Sequence, residues 1–351
     1  MKRIYWIIVC VLTAALVLGG CAKETEGASA VSAISPNVVS QEEPNRGNRD
    51  PLTGLYGVSD SAVGKRPVAV MINNISTAQP VQTGLNDAGI VFESMVEGGI
   101  TRLMAVYSDI SSVEQIGTIR SARYTYVQLA KSLDAVYVHC GMDDLYTRPY
   151  ANSLDFDYFD LGANDSYAFR EENGLAYEHT LYAKGKTLQK GIDKKFRTDI
   201  DKEYQGLVFQ FTDPEETRSA GAACSKVSFS MSGEYQTTFE YDADSKMFVR
   251  QPRGDTHRDY ITGEKTASKN LLLLVAPVYP FDDDYHVRTV LDGGSGYYIS
   301  EGGYTEINWS KGGASDRLEL TDKQGNALEL NAGNSWIAFV PQYQSDSVVF
   351  E

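Results

Sequence analysis

The sequence predicts an α/β (α+β) N-terminal domain with a mixed sheet, followed by a mostly antiparallel β domain. Three observations carry this expectation. Residues 116–141, IGTIRSARYTYVQLAKSLDAVYVHCG, read as strand, helix, strand. Two apolar runs at 90–97 and 100–107, IVFESMVE and ITRLMAVY, are separated by Gly98 and Gly99, a hairpin signal. From residue 222 onward, short alternating segments are punctuated by turn residues such as Asp292-Gly293-Gly294 and Glu301-Gly302-Gly303.

The chain begins with a different kind of segment. Lys2 and Arg3 precede an apolar stretch over 4–18, too short for a comfortable membrane span, and together they read as an export signal over 1–20. The signal ends in Leu18-Gly19-Gly20-Cys21, which resembles the lipobox of bacterial lipoproteins, where lipid is attached to the cysteine and the chain is cut just before it. Residues 21–50 lack any sustained period and are expected to be a flexible tether, with an end-to-end reach of roughly 30 Å. The folded domains are expected over 51–215 and 222–351. The location implied is the extracytoplasmic face of a bacterial cell membrane, with Cys21 as the anchor.

Cleavage removes Cys10 and lipidation consumes Cys21, so Cys140 and Cys224 remain, too few for a disulfide scaffold and expected as buried free thiols. The formal charge is −15 over 351 residues, and loss of Lys2 and Arg3 makes it −17. A body this acidic argues against nucleic acid as a partner and requires a local basic pocket for any polyanion.

Within the first domain, residues 67–72 (PVAVMI) form an expected strand that breaks at Asn73-Asn74. Strand alternation then puts Val91, Glu93, Met95 and Glu97 on one face, with Arg102 across the hairpin. Two carboxylates and an arginine suit an acid/base pair or a cation site, although a solvated face with a cross-strand ion pair is the commoner arrangement. Ser121 stands where a helix N-cap should stand, and Arg120 and Arg123 flank the first helical amides. Free N–H groups, the positive end of the helix dipole and two guanidinium groups make a candidate anion site of Arg102, Arg120, Ser121 and Arg123. His139 ends an apolar strand and is a weaker candidate base. A further short helix is expected over 184–195.

The motifs PVAVMINN, GLNDAGIVFESMVEGGITR, IGTIRSAR and DAVYVHCG, with DADSKMFVR, DYITGE, NLLLLVAP and NSWIAFVP further on, resemble the YerB-like bacterial lipoproteins. The resemblance spans nearly all of 51–351. It implies two joined domains and brings no catalytic residues. One departure is Tyr177-Glu178-His179-Thr180, where a proline-histidine-asparagine pattern is expected, which leaves only His179 comparable.

In the second domain, strands are expected at 226–230, 235–241, 246–250, 270–277, 288–292, 296–300, 304–309, 317–320 and 335–341. Asp282, Asp283 and Asp284, and Asp242 with Asp244, lack the full calcium-loop pattern, and His257 and His286 stand apart from other ligand types, so no metal site is expected. No GxSxG elbow or phosphate-binding glycine loop appears. The leading expectation is a non-enzymatic envelope lipoprotein binding an anionic envelope ligand or a protein partner through its first domain, without a cofactor. Two alternatives stand beside it. One is an enzyme acting on a phosphate-bearing polymer, with Glu93, Glu97 or His139 and a divalent cation doing the chemistry. The other is a scaffold in which the arginines brace buried carboxylates.

Overall fold

The runs at Val68–Asn73, Ile90–Met95 and Thr101–Tyr107 are strands buried along their whole length. Near-continuous apolar sequence belongs to a sheet covered on both faces, which is how these strands are placed. The computed structural model describes residues 46–351 apart from Glu234 and the side chain of Asp165, and this part of the chain forms one unit. The expected signal, Cys21 and most of the tether lie outside the described residues.

An N-terminal mixed sheet with few helices leads into a mostly antiparallel C-terminal part, and the two share one sheet. In spatial order its strands are Ala222–Ala223, Gly303–Ser310, Gly293–Ser300, Asn270–Ala276, Ser335–Pro341, Ile90–Met95, Thr101–Tyr107, Val68–Asn73, Val136–His139 and Tyr158–Asp160, with Glu319–Thr321 pairing beside Gly303–Ser310. The seam is parallel, with Trp336 opposite Val91 and Ala338 opposite Glu93.

Alternation along these strands feeds two cores. One face carries Val70, Ile72, Val91, Leu103, Leu273 and Trp336, and is covered by Phe229, Phe239 and Phe248 of a second, five-stranded sheet. In that sheet Lys226–Ser232 alternates between buried and half-buried residues, as expected of a strand with one wet side. The other face carries Met71, Phe92, Met104, Tyr137 and Phe339, and is covered by the helix Tyr124–Lys131 through Tyr126, Leu129 and Ala130. Tyr126 anchors that helix to the hairpin, because its buried hydroxyl accepts from Ser94 N–H at 2.8 Å and donates to the Arg102 carbonyl.

Two local expectations need correction, and one helix is new. The helix begins at Tyr124 with Arg123 as its cap residue, so Ser121 is not the N-cap. Residues 119 and 122 instead make isolated bridges to Ile72 and Met142. A short helix that the sequence pattern did not announce, Thr147–Ser153, tolerates Pro149 in its first turn, where no intrahelical donor is needed. Glu93 and Glu97 do not share a face. The strand ends at Met95 and Glu97 opens a single 3-10 turn, where Gly98 sits at φ +73°, so alternation stops before Glu97.

Candidate anion site

The strands Val68–Asn73, Val136–His139 and Tyr158–Asp160 run parallel. In open α/β sheets the crevice beyond the carboxyl ends of such strands is where ligands bind. Residues 117–122 cross these ends in an extended path. Arg120 N–H donates to Met71 O at 3.0 Å, Cys140 N–H donates to Arg120 O at 3.0 Å, and Ala122 N–H donates to Gly141 O at 2.9 Å. On the other side Ile119 N–H donates to Leu181 O at 2.8 Å, which brings the Tyr177–His179 turn alongside Arg120.

Glu97 sits at the centre of an ion cluster. Arg123 approaches it as a fork, through Nε to Oε2 at 2.7 Å and through Nη2 to Oε1. Arg102 Nη2 lies 3.2 Å from Oε1, and its Nη1 donates to Ser121 O at 2.7 Å. Burial opposes ionisation of Glu97, but the hydrogen bond from Arg123 and the charges of Arg102 and Arg123 prevail and hold the carboxyl at about 2. Burial, and then Arg123, pull Arg102 below the usual arginine range. Both guanidinium groups are therefore engaged by the fold.

Glu93 points to the opposite face and is fully buried. Thr101 Oγ1 and Asn74 Nδ2 donate to its Oε1 at 2.8 and 3.1 Å, and Trp336 Nε1 donates to Oε2 at 3.0 Å. Asn74 Oδ1 in turn accepts from Arg250 at 3.1 Å, and Arg250 lies 4.8 Å over the Trp336 ring. This network ties the two halves of the shared sheet together and leaves Glu93 no access to solvent. His139 is equally enclosed. Its Nδ1 donates to Gly141 O at 2.9 Å, and burial pushes it down to about 4 against the opposing charge of Asp160. Glu93, Glu97 and His139 thus do not converge on one pocket.

Arg120 differs from its neighbours. It is half-buried, and among the described residues its side chain makes no hydrogen bond or ion pair. Burial lowers it and the charge of Glu178 partly restores it. Ser121 Oγ likewise has no partner among the described residues. His179, 7% exposed, accepts at Nδ1 from Asn73 Nδ2 at 2.8 Å. Spacing could not have paired His179 with Arg120, since contact depends on the long-range bond between residues 119 and 181. Among the described residues no group of three or more His, Cys, Asp or Glu is placed to hold a metal ion, and Cys140 and Cys224 are free thiols. An open cleft of about 820 Å³ lies elsewhere, where the carboxylates Asp50, Asp87, Asp109 and Glu264 outnumber Lys265 and Lys269.

Fold and site together define a class of protein: a mixed sheet continuing into an antiparallel one, with an arginine-rich edge at the carboxyl ends of its parallel strands. Residues 52–202 match the family described as "Protein of unknown function (DUF3048) N-terminal domain", and residues 226–337 match its C-terminal domain. The chain belongs to this two-domain family. It is similar to "Putative lipoprotein YerB" of Bacillus subtilis strain 168, with 29% identity over 313 residues, 85% of this chain and 88% of the relative. The crystal structure of YerB from Bacillus subtilis superposes with a TM-score of 0.73 at 26% identity, covering 87% of this chain and 99% of the other.

Proposed function

We propose that this protein is a lipid-anchored lipoprotein on the extracytoplasmic face of a bacterial membrane, held through Cys21, that binds an anionic envelope ligand at Arg120. The reading is non-enzymatic and calls for no cofactor. The observation that carries it is the guanidinium of Arg120 at the carboxyl ends of the parallel strands, which makes no hydrogen bond or ion pair among the described residues. Arg102 and Arg123 serve as braces through Glu97, so the scaffold alternative holds for these two residues and not for Arg120. An envelope protein presenting a carboxylate or phosphate would satisfy the same site. The enzymatic alternative is disfavoured, because Glu93 and His139 are sealed and Glu97 is neutralised.

The test is a search for what co-purifies with or stabilises the full chain, by mass spectrometry and thermal shift, in wild type and the variants R120A and R123A. Loss of the ligand from R120A with an almost unchanged melting temperature supports the reading. Equal retention of ligand by R120A contradicts it.

A further inference from the structure

The hairpin that pairs Val278–Pro280 with Val287–Thr289 joins neither main sheet. It is rooted instead in the first half of the chain, where Thr289 N–H donates to Thr125 Oγ1 at 3.0 Å and the Thr289 and Ser94 hydroxyls lie 2.7 Å apart. Its tip thereby meets aromatic residues at the helices Tyr124–Lys131 and Thr147–Ser153. Phe281 stacks on Tyr146 with ring centres 4.2 Å apart and meets Tyr124 edge-on at 5.2 Å, and Tyr124 stacks on Tyr150 at 4.1 Å. His286 approaches Tyr146 at 5.6 Å and Tyr285 at 5.1 Å. Arg288 lies 5.3 Å over Phe281, and Tyr279 is its cross-strand neighbour. Core packing does not account for the outer members, since Tyr279 is 53% and Tyr285 59% exposed. Contiguous rings held in place yet left in water mark a contact surface.

Charge identifies the occupant. Asp282, Asp283 and Asp284 sit between Phe281 and Tyr285, and Asp143 and Asp144 come shortly before Tyr146. Three of these carboxylates are used by the fold. Asp283 Oδ2 lies 2.6 Å from His286 Nδ1, Asp144 pairs with Arg148, and Asp143 Oδ1 accepts from the N–H groups of Tyr146 and Thr147 at 2.8 and 3.0 Å. The exposed side chains of Asp282 and Asp284 make no hydrogen bond or salt bridge among the described residues. Against the five carboxylates stand only Arg148 and Arg288. Aromatic residues also suit a bilayer interface, but this excess of negative charge opposes an anionic membrane surface. A neutral glycan would use the rings and leave Asp282 and Asp284 without a role. We propose that this surface docks a basic segment of a protein partner, whose arginine or lysine side chains lie over the exposed tyrosine rings and pair with Asp282 and Asp284. Arg288 over Phe281 is the same contact made within the chain. The docking surface does not depend on the anion read at Arg120.

The test is calorimetric titration of the full chain in neutral detergent with a decapeptide of alternating arginine and glycine, its glutamate counterpart and a chitin tetrasaccharide, repeated with phosphatidylglycerol doped into the micelles. The arginine peptide is expected to bind, more weakly as salt rises, and the other probes are not. Y285A should weaken the peptide about fivefold, the worth of one cation over an exposed ring. The double variant D282N/D284N should weaken it about tenfold. All three side chains are exposed, so both variants keep the fold. E215Q/E216Q, which removes two exposed charges outside the patch, should leave the affinity unchanged. Binding that falls equally in E215Q/E216Q, or that neither patch variant changes, is diffuse attraction to an acidic body and overturns the proposal. Binding of the tetrasaccharide or the lipid that Y285A weakens, in place of the peptide, assigns the surface to a glycan or a membrane and overturns the basic partner. Absence of binding by the arginine peptide overturns it as well.

Discussion

Replacing Glu97 with glutamine removes the one carboxylate that Arg102 and Arg123 share. Arg102 is 5% exposed, so its charge would be left in the sheet edge without a counter-ion. Breaking a buried pair by removing one partner costs about 3–5 kcal/mol. An independent route gives a similar magnitude: a carboxyl held at about 2 instead of 4.5 stabilises the fold by about 3 kcal/mol at neutral pH. Because the folded-state value is depressed, this contribution is complete above about pH 5 and disappears as pH falls toward 2. Urea denaturation of E97Q at pH 7 should therefore show a loss of about 3 kcal/mol, roughly 5–10 °C in melting temperature. The gap between wild type and E97Q should shrink as pH falls below 4.5 and close near 2. An E97Q variant as stable as wild type at pH 7, or a gap that does not narrow on acidification, would refute the brace.

Three further outcomes follow from the same contacts. Y126F leaves the buried Ser94 N–H without its acceptor and should cost about 1–3 kcal/mol by denaturant titration. W336F removes a donor to the sealed Glu93 carboxylate; a loss of about 1–3 kcal/mol is expected, and unfolding should remain a single transition because the network joins both halves of the sheet. C21A should shift the protein from the membrane pellet to the soluble fraction after cell lysis, whereas continued pelleting in high salt would remove Cys21 as the anchor.

Much of the architecture was legible because it is local. The strand–helix–strand of 116–141, the Gly98-Gly99 hairpin and the short turns beyond 222 are written in neighbouring residues. The site was only half legible. Alternation placed Glu93 on a strand face, but it cannot anticipate that the chain leaves the strand after Met95, which swings Glu97 toward Arg123. The helix start slipped from Ser121 to Arg123 because residues 119 and 122 are held in bridges to Ile72 and Met142, and tertiary pairing overrides a good capping residue. Two features were invisible because they depend on distant pairing. The parallel seam joins Ile90–Met95 to Ser335–Pro341, making one sheet of two sequence segments, and the bond from Ile119 to Leu181 brings His179 to Arg120.

The division of labour among the arginines is open to direct observation in the side-chain Nε–H signals of the labelled full chain. Arg123 should exchange slowly with solvent in the free protein because its Nε–H donates to Glu97, and Arg102 because it is almost entirely buried. Arg120 should exchange rapidly and become protected, with a shifted resonance, on addition of inorganic phosphate. An Arg120 signal already protected in the free protein, or one that no anion perturbs, would contradict the claim that Arg120 is the ligand-binding arginine.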